Sequence, residues 1–241
     1  ELEYLTSRTS SSSFQFYPDS MRAISRSFRI AEDTAHYSFP DVEGTAHGIR
    51  WLPSKDKLYA YKGEKPFVMY HEQSNFLGDL LLQPAGLEGN GTVDLTKAKM
   101  VSPHFQFSHQ SWQADSLATH FLVPGQTAEA FVASNIGGSL DYRTRNGQFW
   151  RTGSSIAGDL KPLEYSCHTD RIQWPMDEDI LQFVTAEQQK AVQEHVFDPP
   201  RMYDRDTVPP GTFFFSTRAG EDSLYFASRW ATYKMRNPRL D

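Results

Sequence analysis

The chain has 241 residues and a formal net charge of -6, which arises from 30 acidic and 24 basic residues mixed along its length. Because no region concentrates positive charge, the composition argues against nucleic acid as a partner. The single cysteine, Cys167, excludes an intrachain disulfide and any zinc or iron–sulfur site that needs several cysteines. We expect its thiol to be a small buried side chain.

The composition favours strands joined by turns. The chain contains 17 Phe and 11 Tyr, and its 14 Pro and 15 Gly are spread along it instead of being pooled in one linker. Aromatic residues suit the pleated surface of a sheet, whereas Gly and Pro mark turns. We therefore predict an all-β fold, which is either a stacked, solenoid-like array or a β-sandwich.

Alternation of polar and apolar residues predicts many short strands. The first lies within residues 21–30, and two more deeply buried strands lie at residues 66–70 and 76–82. Residues 84–91 have turn chemistry throughout and predict a hairpin turn or a solenoid corner. Further strands are predicted at residues 57–61, 92–95, 104–107, 116–123, 129–133, 139–143, 148–152, 163–167, 171–174 and 180–184.

One short helix is predicted near residues 186–196. Thr185 can cap its first amides while Gln188 reaches back to complete a capping box. Residues 198–211 contain four prolines and five charged residues, and the two prolines at their start should end the helix. We therefore divide the chain into a main β domain at residues 1–197, a Pro-rich connection at 198–211 and a final β unit at 212–241.

A short pattern occurs three times along the chain. Two phenylalanines flank one residue, and Asp-Ser and a large apolar residue follow after a gap. The copies occupy residues 14–21, 105–117 and 213–224. Self-similarity of this kind is typical of recurring strand-turn-strand units. We expect each Asp to form a turn, and Leu117 or Leu224 to be the first inward-facing residue of the next strand.

The sequence marks no catalytic or metal-binding arrangement. His104, His109 and His120 lie on consecutive predicted strands, but a metal site needs a further ligand and an ordering second shell, and irregular gaps give no assurance that they converge. The acidic run at residues 177–179 is interpreted as a solvated turn, because alternate residues of a strand face opposite ways. We therefore predict no catalytic residues, no metal and no cofactor.

Trp150 is the best candidate for binding a ligand. The five tryptophans are dispersed over predicted strands, where core packing is their usual role. Trp150 differs because its neighbours at residues 146–148 and 151–152 are polar or small. Carbohydrate-binding sandwiches use exposed aromatic rings as stacking platforms. The candidate ligand-binding residues are therefore Trp150, Arg151 and Asn146.

Residues 78–95, together with residues 98–101, the Phe-Gln-Phe element at 105–107 and Ala-Asp-Ser at 114–116, resemble β-rich repeat segments of very large, uncharacterised envelope or surface proteins of Bacteroidota. Residues 167–176 and 223–233 look like later segments of the same proteins. The last stretch is also loosely similar to the β repeats of periplasmic lipopolysaccharide-transport bridges. The resemblance implies an all-β fold and a location in the periplasm, outer membrane or cell surface, and it carries no known active site.

The expected function is that of a non-enzymatic structural or bridging scaffold within a large cell-envelope or surface protein. Its partners would be the rest of the parent chain or a neighbouring β unit, with glycan or lipid as further candidates. We expect the chain to be a piece of a longer protein. The alternative is a carbohydrate-binding β-sandwich module of a secreted glycan-processing protein. A glycoside hydrolase would need two carboxylates about 5 to 10 Å apart across a cleft, and the sequence marks no such pair.

Overall fold

The computed structural model describes residues 1–184, 212–220 and 224–241. These residues form 23 β-strands and two short 3₁₀ turns, and they contain no α-helix. The strand pairs whose registers are defined are antiparallel. The predicted all-β fold is confirmed. The predicted helix near residues 186–196 and the Pro-rich connection at 198–211 lie outside the described residues.

The strands are short at both ends of the chain and long in its middle. In chain order they are β1 Leu2–Tyr4, β2 Ser7–Ser10, β3 Phe14–Phe16, β4 Met21–Ile24, β5 Ser27–Ile30, β6 Val42–Gly44, β7 Gly48–Leu52, β8 Lys57–Tyr61, β9 Phe67–Met69, β10 Ser74–Gln83, β11 Gly86–Leu95, β12 Ala98–Ser108, β13 Ser111–Leu122, β14 Glu129–Asp141, β15 Asn146–Arg151, β16 Ile156–Leu160, β17 Tyr165–Thr169, β18 Arg171–Pro175, β19 Ile180–Val184, β20 Thr212–Ser216, β21 Tyr225–Ser228, β22 Trp230–Lys234 and β23 Arg239–Leu240. The 3₁₀ turns Pro53–Lys55 and Lys161–Leu163 connect β7 to β8 and β16 to β17. Both turns end on a residue with a left-handed backbone, Asp56 and Glu164.

The chain forms two compact units. Unit 1 comprises Glu1–Leu117 and Ser139–Thr144, and unit 2 comprises Ala118–Gly138 and Arg145–Asp241. Strands β13 and β14 therefore contribute residues to both units.

Unit 1 contains two antiparallel ladders whose inner faces meet. The first ladder runs β1-β2-β5-β6-β9 and the second runs β3-β4-β7-β8. Strand β10 pairs with β9 through its first residues and with β8 through its later ones, and β11 and β12 follow it. The ring centroid of Tyr4 in the first ladder lies 6.2 Å from that of Trp51 in the second. The hydroxyl of Tyr4 also donates a 2.6 Å hydrogen bond to the carbonyl oxygen of Asp56.

Phenylalanine side chains fill the core of unit 1. Phe67, Phe76 and Phe105 are completely buried. The ring of Phe76 packs edge-on against Phe105 at 6.0 Å and against Phe107 at 5.2 Å between centroids. Burying one such side chain contributes about 1.5 to 3 kcal/mol, so this cluster is a main source of the stability of the unit.

The predicted turn at residues 84–91 is wrong in extent. Only Pro84 and Ala85 turn, and Gly86–Leu95 forms β11, which pairs with both β10 and β12. Gly89 and Gly91 allow close packing of strands, whereas a Cβ on Gly86, directly after the turn, would meet nothing within 4 Å. A Cβ added to Gly91 would lie less than 3.0 Å from the carbonyl oxygen of Leu77, and the Gly91 backbone has φ +145°.

Unit 2 also contains two ladders whose inner faces meet. One runs β14-β16-β17-β20-β21 and the other runs β15-β18-β19-β22-β23. The ring centroid of Phe183 on β19 lies 5.7 Å from that of Phe131 on β14 and 5.8 Å from that of Phe214 on β20. Cys167 on β17 is fully buried, as predicted, and burial raises the pKa of its thiol to about 12.

The structure bears out part of the repeated pattern. All three phenylalanine pairs lie on strands, namely β3, β12 and β20. Leu117 is only 2% exposed and faces inward, as expected, but it is not the first such residue of its strand, because Trp112 and Ala114 of β13 are also buried. Asp115, however, lies within β13 and does not precede a strand, because β13 begins at Ser111. Leu224 is 48% exposed, so its predicted inward position is wrong, and Asp222 lies outside the described residues.

Candidate ligand-binding surfaces

Trp150 lies on the outer face of β15 in unit 2. Its neighbour Phe149 is fully buried, whereas Trp150 is half-buried and shares the outer face with Gln148. The indole packs against Gly137 of β14. A Cβ on Gly137 would lie less than 3.0 Å from three atoms of the indole ring, so only glycine lets the ring approach this closely.

The other two predicted site residues do not converge on the indole. Asn146 is four residues from Trp150 on the same face of β15, which corresponds to about 13 Å along an extended strand. Arg151 alternates to the opposite face. Its Nη1 lies 3.2 Å from Oδ1 of Asp170 and donates a 2.6 Å hydrogen bond to the carbonyl oxygen of Ser154. Arg151 therefore stabilises the end of the strand pair in this structure.

The strand registers place Trp150 in a row of outward residues that ends in a second tryptophan. Arg171 lies opposite Trp150, Val184 opposite Arg171, and Trp230 opposite Val184. Directly opposed residues share a face of the sheet. Trp230 is 61% exposed, so two indoles separated by about 14 Å flank this row.

A parallel row of uncharged polar side chains runs beside it. Gln148, Gln173 and Gln182 are directly opposed on β15, β18 and β19, and Thr232 continues the row on β22. Amides and a hydroxyl can donate hydrogen bonds to ligand hydroxyls and accept hydrogen bonds from them. A face with two indoles and a row of amides is chemically suited to stack on and hydrogen-bond a neutral polyhydroxylated ligand.

The histidines singled out in the sequence each have a different carboxylate partner. The Nε2 atom of His104 lies 3.3 Å from Oε2 of Glu88, and Nδ1 of His120 lies 2.7 Å from Oε1 of Glu129. His109 contacts Glu32. In the part of the chain that the structure describes, no group of three His, Cys, Asp or Glu side chains could hold a metal ion.

The acidic run at residues 177–179 takes part in ion pairs at the edge of unit 2. Oδ1 of Asp177 lies 2.8 Å from Nη2 of Arg145, and Oδ2 of Asp179 lies 2.8 Å from Nε of Arg236. These carboxylates therefore neutralise neighbouring cations and hold the turn between β18 and β19 against other segments of the same unit.

No protein-family model matches the chain, and no curated protein or solved structure matches it either. None of the helical segments among the described residues is long and apolar enough to span a membrane.

Proposed function

We propose that the chain is a non-enzymatic scaffold segment of a large cell-envelope or surface protein, in which it bridges neighbouring β units. The main support is an apolar strand edge in unit 2. Tyr225 and Phe226 of β21 are 64% and 40% exposed, and the preceding Leu224 is 48% exposed. Among the strand registers that the structure defines, β21 is paired with β20.

An apolar strand with a free edge is a template for adding another strand. Its unpaired N–H and C=O groups form main-chain hydrogen bonds with the incoming strand, while the exposed rings bury apolar surface against it. The partner in this proposal is a β unit of the parent chain or of a neighbouring protein. The envelope location comes from the sequence resemblance, and the apolar edge is in keeping with a bridging role.

The experiment measures association of the purified chain by light scattering over a range of concentrations. Wild-type protein should associate, and Tyr225→Lys combined with Phe226→Lys should shift it towards monomer, because two charges oppose burial of the edge. Val101→Lys is the matched control, since Val101 is a 41% exposed apolar residue on β12, a strand of unit 1. A strictly monomeric wild-type chain with strong amide protection throughout β21 would contradict the proposal.

A second candidate function is that of a carbohydrate-binding module, and the paired rows on unit 2 favour it. Trp150 and Trp230 supply stacking surfaces, and the glutamine row supplies hydrogen bonds. A glycan-array screen should show specific binding that is lost in Trp150→Ala and weakened in Trp230→Ala. Tyr225→Ala is the control, because its exposed ring lies on β21, outside these rows. Binding that all three variants retain would exclude this surface.

A further inference from the structure

Two arginines face each other on the outer side of unit 1. Arg22 of β4 and Arg50 of β7 are directly opposed in register, which brings their Cβ atoms to about 4.5 to 5.5 Å. Like charges in this position destabilise a strand pair unless something neutralises them. The same row continues to Gln15 on one side and to Tyr59 on the other, so no acidic residue flanks the pair.

In a second pair of opposed arginines in the same unit, neighbouring carboxylates neutralise the positive charges. Arg8 and Arg29 are also directly opposed, on β2 and β5. Here the row places Glu3 opposite Arg8 and Glu43 opposite Arg29. Nη2 of Arg8 lies 2.6 Å from Oε1 of Glu3, and Nε of Arg29 lies 3.5 Å from Oε1 of Glu43. The two rows have the same geometry, but only in the row of Arg8 and Arg29 do carboxylates flank the arginines.

Arg22 and Arg50 have guanidinium N–H donors that could form hydrogen bonds to a bound ligand. Within the described residues, the buried Nε of Arg50 has no hydrogen-bond partner. The guanidinium carbon of Arg22 lies 5.1 Å from the ring centroid of Tyr17, a cation–π contact that leaves the positive charge in place. A buried donor of a charged group that lacks a partner is costly, so an acceptor at this position would stabilise the pair.

The side chains of Arg22 and Arg50 line a cavity of about 640 Å³. Ser12, Ser13 and Tyr61 also line it, and Tyr61 is 38% exposed. This volume is within the roughly 300 to 1,000 Å³ that is typical of small-ligand pockets. The lining combines cations, hydroxyls and an aromatic ring, and it contains no acidic side chain.

We propose that this pocket binds a saccharide that carries an anionic group, namely a carboxylate, sulfate or phosphate. The anion lies between Arg22 and Arg50, accepts hydrogen bonds from both guanidinium groups and removes their repulsion. The sugar ring packs on Tyr61, and its hydroxyls bond to Ser12 and Ser13. The site lies wholly within unit 1 and depends neither on the scaffold role nor on the surface around Trp150.

Calorimetric titration at low ionic strength tests the proposal with three probes: trigalacturonic acid, neutral galactotriose and inorganic phosphate. Trigalacturonic acid should bind at one site, galactotriose should bind at least about tenfold more weakly, and phosphate should compete with the acidic sugar. Added salt should weaken binding of the acidic sugar. Equal affinity for the neutral sugar would overturn the proposal, and so would binding of phosphate without binding of the acidic sugar.

The variants Arg22→Gln and Arg50→Gln should each lower affinity for trigalacturonic acid by about tenfold or more, because each removes a charge-assisted contact. Arg8→Gln is the matched control, since it removes an arginine from the neutralised pair and should leave affinity unchanged. Arg50→Lys keeps the positive charge but loses the planar guanidinium group, so its affinity for trigalacturonic acid should be intermediate. This variant replaces the glutamine variants in the titration if they fold poorly. The proposal fails if Arg8→Gln weakens binding as much as Arg50→Gln does.

Discussion

The indole of Trp150 occupies the space that a side chain at residue 137 would need. Gly137 and Trp150 lie on neighbouring segments of unit 2, and a Cβ on Gly137 would come within 3.0 Å of three indole atoms. Aromatic rings packed on glycine in this way stabilise a sheet face at a position where the glycine itself contributes no side chain. The position of the indole on the outer face therefore depends on the absence of a side chain at Gly137.

Gly137→Ala should push the indole away from the sheet and lower the free energy of unfolding by about 1 to 3 kcal/mol, the usual cost of inserting a methyl group into a packed site. Chemical denaturation followed by tryptophan fluorescence measures both effects. Gly153→Ala is the control, since a Cβ at Gly153 meets nothing within 4 Å. Equal stability of the two variants would show that the indole is not held by Gly137.

The strand content was predictable because alternation of polar and apolar residues reports directly which side chains face inward. Met21 and Leu117 followed this rule, and both are buried. Leu224 did not, since burial at the end of a unit depends on what covers the strand, which the local pattern does not contain. The glycines of residues 84–91 predict a turn where most of these residues form a strand, because both turns and closely packed strands favour glycine.

The repeated pattern offers a direct comparison between two leucines. Leu117→Ala should lower the free energy of unfolding by about 2 to 5 kcal/mol, because it removes a buried side chain. Leu224→Ala should cost less than about 1 kcal/mol, since this side chain is half exposed. Asp115→Asn, which changes an exposed strand residue, should stay within about 0.5 kcal/mol of wild type. Urea denaturation of the three variants gives the comparison, and a larger effect for Asp115 than for Leu117 would point to a functional role for the acidic side chain.

Alanine substitutions at two glycines of β11 distinguish the cost of backbone strain from the cost of steric overlap. Gly86 and Gly91 both have positive φ, at +152° and +145°, but only Gly91 lacks room for a Cβ. Gly86→Ala should therefore cost about 1 to 3 kcal/mol from backbone strain alone. Gly91→Ala should cost about 1 to 3 kcal/mol more, because it also forces β10 and β11 apart. Thermal unfolding of both variants measures the difference, which should vanish if residues 86–91 formed a turn, as their composition predicts.

The binding surfaces were only partly predictable. The polar neighbours of Trp150 marked it as unusual for a strand tryptophan. Strand register creates the row formed by Gln148, Gln173 and Gln182, and it also places Arg22 opposite Arg50. Register depends on turn geometry and on the packing of both ladders, so a single strand does not reveal which residues it will oppose.

His47 should make the stability of unit 1 depend on pH. Its imidazole is fully buried and stacks on Phe67 at 3.7 Å between ring centroids, and Nδ1 donates a 3.1 Å hydrogen bond to the carbonyl oxygen of Tyr61. Burial lowers the pKa of His47 below its ordinary value, and the bond to Tyr61 opposes this shift only in part. The folded chain therefore favours the neutral ring.

Since the folded pKa is the lower one, the unfolded chain takes up a proton first as the pH falls. The stability that His47 provides is complete above the unfolded pKa of about 6.5 and is lost progressively as the pH falls through the lower folded value. His47→Gln should reduce the loss of melting temperature between about pH 7 and pH 5, although the variant is less stable throughout because it leaves a gap against Phe67. His168→Gln, at an exposed histidine of β17 in unit 2, is the control and should lose as many degrees as wild type. If wild type and His47→Gln lost the same number of degrees, the acid sensitivity of the unit would have to arise from other groups.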